Sequence, residues 1–356
     1  MDGGRAWFAG HLAGEVVEAG DDPAMLDAGG WWAVMITFEG EVRLWRFARR
    51  ERRALPVPSG QGALWPGVSG PWRSSIGRDD YLAGVAEIRR RIREGEVYQV
   101  NLCRVISAAL EAGAGAVHDP WALAQVLAAG NPAPFAGVID VPAVGSLPRT
   151  RVVCASPELF LRREGDRVTC SPIKGTGRTA ADLLPKDSAE NVMIVDLMRN
   201  DLQHACRPGS VAVTGLLEIE QHPGLVHLVS TVTGRLAEGV GWRDLLRVTM
   251  PPGSVSGAPK SSALQAISDL EPVPRGPYCG AIGWVDADAG RAELAVGIRS
   301  FWWQGDADHE HLCFGTGAGI TWGSDARAEW DETELKADRL ISLASNRQRQ
   351  TQEEKR

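Results

Sequence analysis

The stretch PFAGVIDVPAVGSLPRTRVVCASPELFLRREGDRVTC, residues 134–170, decides the fold. Four short apolar runs, Phe135–Val141, Arg151–Ala155, Leu159–Arg163 and Arg167–Cys170, lie between Pro and Gly breaks and read as strands. No helical segment separates them. Parallel strands need a crossover of a dozen or more residues, so these short connections predict antiparallel pairing. Further strands are predicted at Val97–Ser107, Ser210–Ile219, Val226–Gly234, Cys279–Asp286, Ala292–Phe301 and His311–Phe314. Near the start, Trp31–Phe38 and Glu41–Phe47 form a pair turned at Glu39-Gly40. Helical spacing runs through Asp79–Glu94, where Tyr81, Leu82, Val85, Ile88 and Ile92 share a face. It returns at Asp119–Ala129, Ala189–Leu202, Trp242–Val248, Ala258–Leu270 and Ala326–Leu343. The expected class is α/β, of the α+β kind: one large domain of stacked, largely antiparallel sheets flanked by helices. Residues 1–78 belong to the same fold, 79–345 form its main body, and 346–356 are a polar tail.

The chain has 356 residues, 44% of them apolar and 23% charged, which is ordinary globular material. A net charge of −7 argues against a nucleic-acid partner. The longest apolar run, Trp31–Phe38, is far too short for a membrane span. The start carries no secretory pattern. The six cysteines form no CxxC pair and read as free thiols, as in a reducing cytoplasm. Only five of the 38 basic residues are lysine: Lys174, Lys186, Lys260, Lys336 and Lys355. A chain that writes Arg for generic surface charge needs a reason for each lysine, because the two are not chemically equivalent.

Several patterns can carry chemistry. Glu329 and Glu332 share a helix face with Lys336 one turn on, and Asp187 and Glu190 have the same spacing. Either these are solvated faces with local ion pairs, or they are oxygen ligands of the sort that suit Mg²⁺. Lys174 follows an apolar strand end and abuts a glycine turn. It is either a surface lysine or, with a depressed pKa, a nucleophile. Met250–Lys260 reads as a carboxylate cradle, an ordinary helix start capped by Ser256, or both. Gly315–Gly319 lacks dinucleotide spacing and suits close approach of backbone to a ligand. Arg299 ends an apolar strand and calls for an anion. His227 sits in an apolar strand and reads as a core histidine, and Glu158 precedes another such strand and could act as a general acid.

In order, VYQVNLCR (97–104), ASPELF (155–160), SPIKGTGR (171–178), AENVMIVDLMRNDL (189–202), VHLVSTVTG (226–234), PPGSVSGAPK (251–260), GPYCGAIGW (276–284), VGIRSF (296–301), GTGAGI (315–320) and EWDETELK (329–336) resemble the chorismate-utilising enzymes. That family includes the aminodeoxychorismate, anthranilate, isochorismate and salicylate synthases. The resemblance covers residues 79–343. It implies that Gln99, where water-adding members carry a basic lysine, excludes water activation, and that Lys174 marks the aminodeoxychorismate branch.

The resemblance further implies a transferase that aminates chorismate at C4 on the way to 4-aminobenzoate and folate. Lys174 would be the covalent nucleophile and Glu158 the acid. Arg299 and the backbone at Gly317 would hold one carboxylate, with Gly175, Thr176, His227, Ser254, Tyr278 and Lys336 lining the pocket. Mg²⁺ would be held by Glu190, Glu332 and Glu329, with Asp187 through water. No cysteine here has the context of a glutaminase nucleophile, so a separate glutamine amidotransferase subunit would supply ammonia. The competing expectations are an anthranilate synthase component I and an inactive chorismate-binding homologue.

Overall fold

The strands and helices below come from a computed structural model that describes residues 3–58, 64–110, 117–177, 179–183, 185–222, 225–305 and 309–346. In chain order the strands are β1 (Arg5–Phe8), β2 (His11–Gly20), β3 (Trp31–Ile36), β4 (Val42–Arg52), β5 (Arg73–Ser74), β6 (Gln99–Ala109), β7 (Phe135–Val141), β8 (Thr150–Ser156) and β9 (Leu159–Glu164). They continue with β10 (Arg167–Ser171), β11 (Ile173–Gly177), β12 (Ala212–His222), β13 (Leu225–Arg235), β14 (Gly257–Ala258), β15 (Ala281–Asp286), β16 (Arg291–Val296), β17 (Ser300–Gln304) and β18 (His311–Ile320). The helices are α1 (Arg78–Arg93), α2 (Pro120–Gly130), α3 (Pro185–Gln203), α4 (Trp242–Thr249), α5 (Lys260–Leu270) and α6 (Ala326–Ala344).

Every strand pairing among the described residues is antiparallel, as the short connections lead one to expect. One run of neighbours reads β6, β18, β17, β8, β7, β1 and β2. It continues through β4, β3, β15, β16, β9, β10 and β13. The strands β11 and β12 both pair with β13. The sheet curls, so strands from distant parts of the sequence line one core. Helix ends follow local chemistry: the Asp119 carboxylate accepts from Trp121 N ahead of α2, and Asp325 accepts from Arg327 N and Ala328 N ahead of α6.

Two crossings matter for the site. β8 belongs with β7 and β17, whereas β9 belongs with β10 and β16. The chain passes from one group to the other at Pro157-Glu158. The return from β16 to β17 passes at Gly297–Arg299, beside the first crossing. Ala155 N donates to Arg299 O, and Val296 N donates to Glu158 O.

The structure departs from the sequence reading in several places, among them the predicted strand Ala292–Phe301, which is broken at Gly297–Arg299 into β16 and β17. β1 and β2 precede Trp31 because mixed Gly, Ala and Glu positions on a half-covered strand give no clear alternation. The strand predicted to end at Phe314 runs on through Gly315–Gly319 to Ile320, paired with β6 along its length. α3 begins at Pro185, earlier than Ala189, since Pro is well tolerated in a first turn. Ser256 does not cap α5: its hydroxyl donates to Pro252 O and Gly253 O, and α5 starts at Lys260 behind Pro259. All six cysteines are buried free thiols. No helix among the described residues is long and apolar enough to cross a membrane.

Candidate active site

β11 presents Lys174. Its neighbour Gly175 has φ +86°, and a Cβ there would meet Asp187 Cβ at 2.9 Å, so glycine lets β11 lie against the first turns of α3. The Lys174 ammonium donates to Ser254 O at 3.0 Å. Ser254 sits in a single turn between α4 and α5, buried, in the Met250–Pro259 loop. This bond brings two of the sequence-predicted segments together.

Glu158 sits at the first crossing and is 4% exposed. Burial pushes its carboxyl up to about 7, and the nearby Ser254 hydroxyl, Lys174, the backbone at Ile173 and Lys336 only partly oppose the rise. Among the described residues, the buried atoms Glu158 Oε1 and Ser254 Oγ have no hydrogen-bond partner of good geometry. A carboxyl that holds a proton near neutrality, with unfilled hydrogen-bonding capacity beside a lysine, can act as an acid toward a bound group.

The acids of α3 and α6 face the same space. Burial raises Glu190, with Lys174 and Lys186 opposing and Asp187 and Glu332 adding to the rise. Burial likewise raises Glu329, 6% exposed, and both Glu332 and Glu190 push it further up. Glu332 also feels burial most strongly, but Lys336, Lys186 and Lys174 together hold its carboxyl below the usual range. The Lys336–Glu332 pair closes at 2.7 Å with the predicted i,i+4 spacing. Lys336 Nζ also donates to Gly317 O at 3.0 Å. A Cβ on Gly317 would meet Leu102 O at 2.8 Å and Cys103 Sγ at 2.5 Å, so β18 can approach β6 this closely only with glycine there. A Cβ on Gly319 would lie 2.4 Å from Gln99 Nε2 and 3.6 Å from Glu190 Oε2, which places Gln99 beside the acids.

Arg299 occupies the second crossing, in a left-handed turn at φ +51°, and not at a strand end. Burial lowers its guanidinium pKa, and no ion-pair partner stands against it among the described residues. A half-buried unpaired guanidinium is a receptor for a carboxylate. His227 is buried on β13, and its backbone is the register partner of Thr176 on β11; the Thr176 side chain lies outside the described residues. Tyr278 is buried, its ring against Gly315 on β18 and its hydroxyl 3.9 Å from Cys103 Sγ. A cleft of about 580 Å³ between Phe38, Met250, Pro251, Leu264 and Arg275 contains none of the predicted site residues.

The sequence reading gave Lys186 no role, yet it acts on Glu190, Glu329 and Glu332. The scarcity of lysine was the available signal. Three of the five lysines act on this one acid cluster. As a cation site, the cluster offers only oxygen donors, and three of its acids are buried enough to perturb one another, which fits Mg²⁺ chemically. Among the described residues no three His, Cys, Asp or Glu side chains converge closely enough to hold a metal as they stand.

Residues 50–342 match the family model described as chorismate binding enzyme. An aminodeoxychorismate synthase component 1 from Klebsiella aerogenes is 35% identical over 327 residues, covering 87% of this chain and 68% of that protein. Its counterpart from Salmonella typhimurium is 34% identical, covering 78% and 60%. An anthranilate synthase component 1 from Thermus thermophilus is 37% identical, covering 85% and 64%. The chain thus spans roughly two thirds or less of the length of these curated relatives. Among solved structures, a Bacillus anthracis protein titled putative 2,3-dihydroxybenzoate-specific isochorismate synthase superposes with TM-score 0.79 at 22% identity, covering 96% of each chain.

Proposed function

Because the chain belongs to the family of chorismate-binding enzymes, we propose that it is the aminating subunit of an aminodeoxychorismate synthase. The observation that carries this reading is the Lys174 amine, held by Ser254 O in the same pocket as the buried Glu158 carboxyl, which burial pushes up to about 7. In this reading Arg299 receives one chorismate carboxylate. The Lys174 amine, once it has given its proton to solvent, attacks C2, the ring double bond shifts, and the C4 hydroxyl leaves as water with the Glu158 proton. Ammonia then attacks C4, the double bond shifts back, and the Lys174 amine departs from C2. The covalent route splits one difficult substitution into two easier ones. Glu190, Glu329 and Glu332, with Asp187 close by, would hold Mg²⁺, which when bound would withdraw charge from the ring carboxylate. The ammonia would come from a separate glutamine amidotransferase subunit, in the cytoplasm, on a route to 4-aminobenzoate.

The test is an intact-mass measurement of the protein with chorismate, Mg²⁺ and no ammonia. A covalent adduct of chorismate less one water, mapped to Lys174, supports the reading. Absence of any adduct together with release of pyruvate and anthranilate on adding ammonium would instead favour anthranilate synthesis, which the Thermus relative keeps open.

A further inference from the structure

Lys260 is the fourth lysine that the structure describes, and the reaction as drawn does not use it. Its Nζ donates to Asp201 Oδ2 at 2.6 Å and lies 3.3 Å from Thr249 O. Both charged side chains are largely buried, at 18% and 12% exposure. Burying an ion pair is expensive, and an apolar pair of similar size is often as stable or more so. The pair therefore has to be explained by geometry more than by stability.

That geometry is specific. Thr249 ends α4 and Lys260 begins α5, so one ammonium ties together both ends of the loop Met250–Pro259. Asp201 fixes that knot to α3, the helix that carries Asp187 and Glu190. The middle of the loop packs directly on the same helix: a Cβ on Gly253 would meet Leu197 Cδ2 at 2.8 Å. On its other side, Arg275 Nη1 donates to Val255 O at 2.9 Å. Between these anchors lies Ser254, whose carbonyl receives Lys174 Nζ. A compact ammonium with three donors suits a junction of two acceptors on different elements, which a planar guanidinium would span poorly.

We infer that the Lys260–Asp201 pair is a positioning device for Lys174: it locks both ends of the Met250–Pro259 loop to α3 and so sets the Ser254 carbonyl that aims the amine. This rests on the reading of Lys174 as nucleophile. Misplacing a reacting group by about 1 Å can cost about a hundred-fold in rate, so loss of the lock acts on kcat.

The test uses the full chain and the double variant Lys260→Met/Asp201→Leu, which leaves no unpaired buried charge. The expected result is a melting temperature near that of the parent, a KM for chorismate within about two-fold, and kcat for amination lower by at least about ten-fold. In parallel, lysine is labelled biosynthetically with ¹³Cε and ¹⁵Nζ, which leaves every N–H donor in place. The Lys174 signal, assigned by its loss in Lys174→Arg, should move in the double variant. A well-folded double variant with unchanged kcat or an unmoved Lys174 signal overturns the inference. If the double variant fails to fold, Asp201→Asn is read by the same measures. If the parent protein aminates nothing, the functional reading fails, and the Lys174 signal alone decides the positioning claim.

Discussion

Replacing Glu158 by Gln separates the two consequences of burying that carboxyl. Burial lifts it from its ordinary 4.5 to about 7. At about 1.4 kcal/mol per pH unit, this is about 3 kcal/mol against the ionised form in the folded protein. For activity, the free enzyme needs Glu158 protonated, so kcat/KM for chorismate should fall as pH rises through about 7, to about a tenth of its plateau near pH 8. Glu158→Gln should lower the plateau by about 10²–10⁴-fold, the usual contribution of a positioned acid, and should erase this alkaline limb. For stability the sign follows from a folded pKa above the unfolded one. The contribution of Glu158 is fully present below about pH 4.5 and is lost as pH rises through about 7. The Gln variant loses nothing over that range, so between pH 4.5 and pH 8 it should gain up to about 3 kcal/mol relative to the parent. The assays are initial rates at constant free-base ammonia and urea unfolding across the same pH series. An alkaline limb that persists unchanged in Glu158→Gln, or a stability difference that does not vary with pH, would refute the assignment.

Other outcomes follow from the same geometry. Arg299→Met should lower kcat/KM for chorismate about 10–100-fold, the value of a charge-assisted bond, without lowering the melting temperature, since no ion-pair partner among the described residues is stranded. Arg275→Met should unfold far more readily, by about 3–5 kcal/mol in denaturant titration, because Glu271 would be left as a buried charge without its 2.6 Å partner. Gly317→Ala should destabilise by about 1–3 kcal/mol, measured by thermal melting, since its Cβ would press on the Leu102 carbonyl. Chelation of divalent cations should abolish turnover, and Mg²⁺ should restore it in the parent but not in Glu329→Ala or Glu190→Ala.

The local part of the site was legible because helices repeat every 3.6 residues. The spacing of Glu329, Glu332 and Lys336 foretold the 2.7 Å pair on α6. The antiparallel pairing was equally legible from the short links of residues 134–170. What no local pattern carries is where a strand changes partners. Pro157-Glu158 reads like any tight turn, yet it is the crossing that buries Glu158 beside Lys174 and brings Arg299 alongside. The same blindness hid the lock on the 250–259 loop, since Lys260 and Asp201 are 59 residues apart in sequence. It also put Ser256 in the wrong role, because its hydroxyl turned inward to the Pro252 and Gly253 carbonyls. Tyr278 is a further case: its ring fills the space that Gly315 leaves open, a contact between residues 37 apart that no local pattern shows.

The most direct measurement is mass spectrometry of the products formed from chorismate, Mg²⁺ and an ammonium salt, with Lys174→Ala alongside. The account predicts a product that carries an amine in place of the C4 hydroxyl, keeps the enolpyruvyl group, and disappears in the variant. Anthranilate with released pyruvate, or an amination that survives Lys174→Ala, would contradict it.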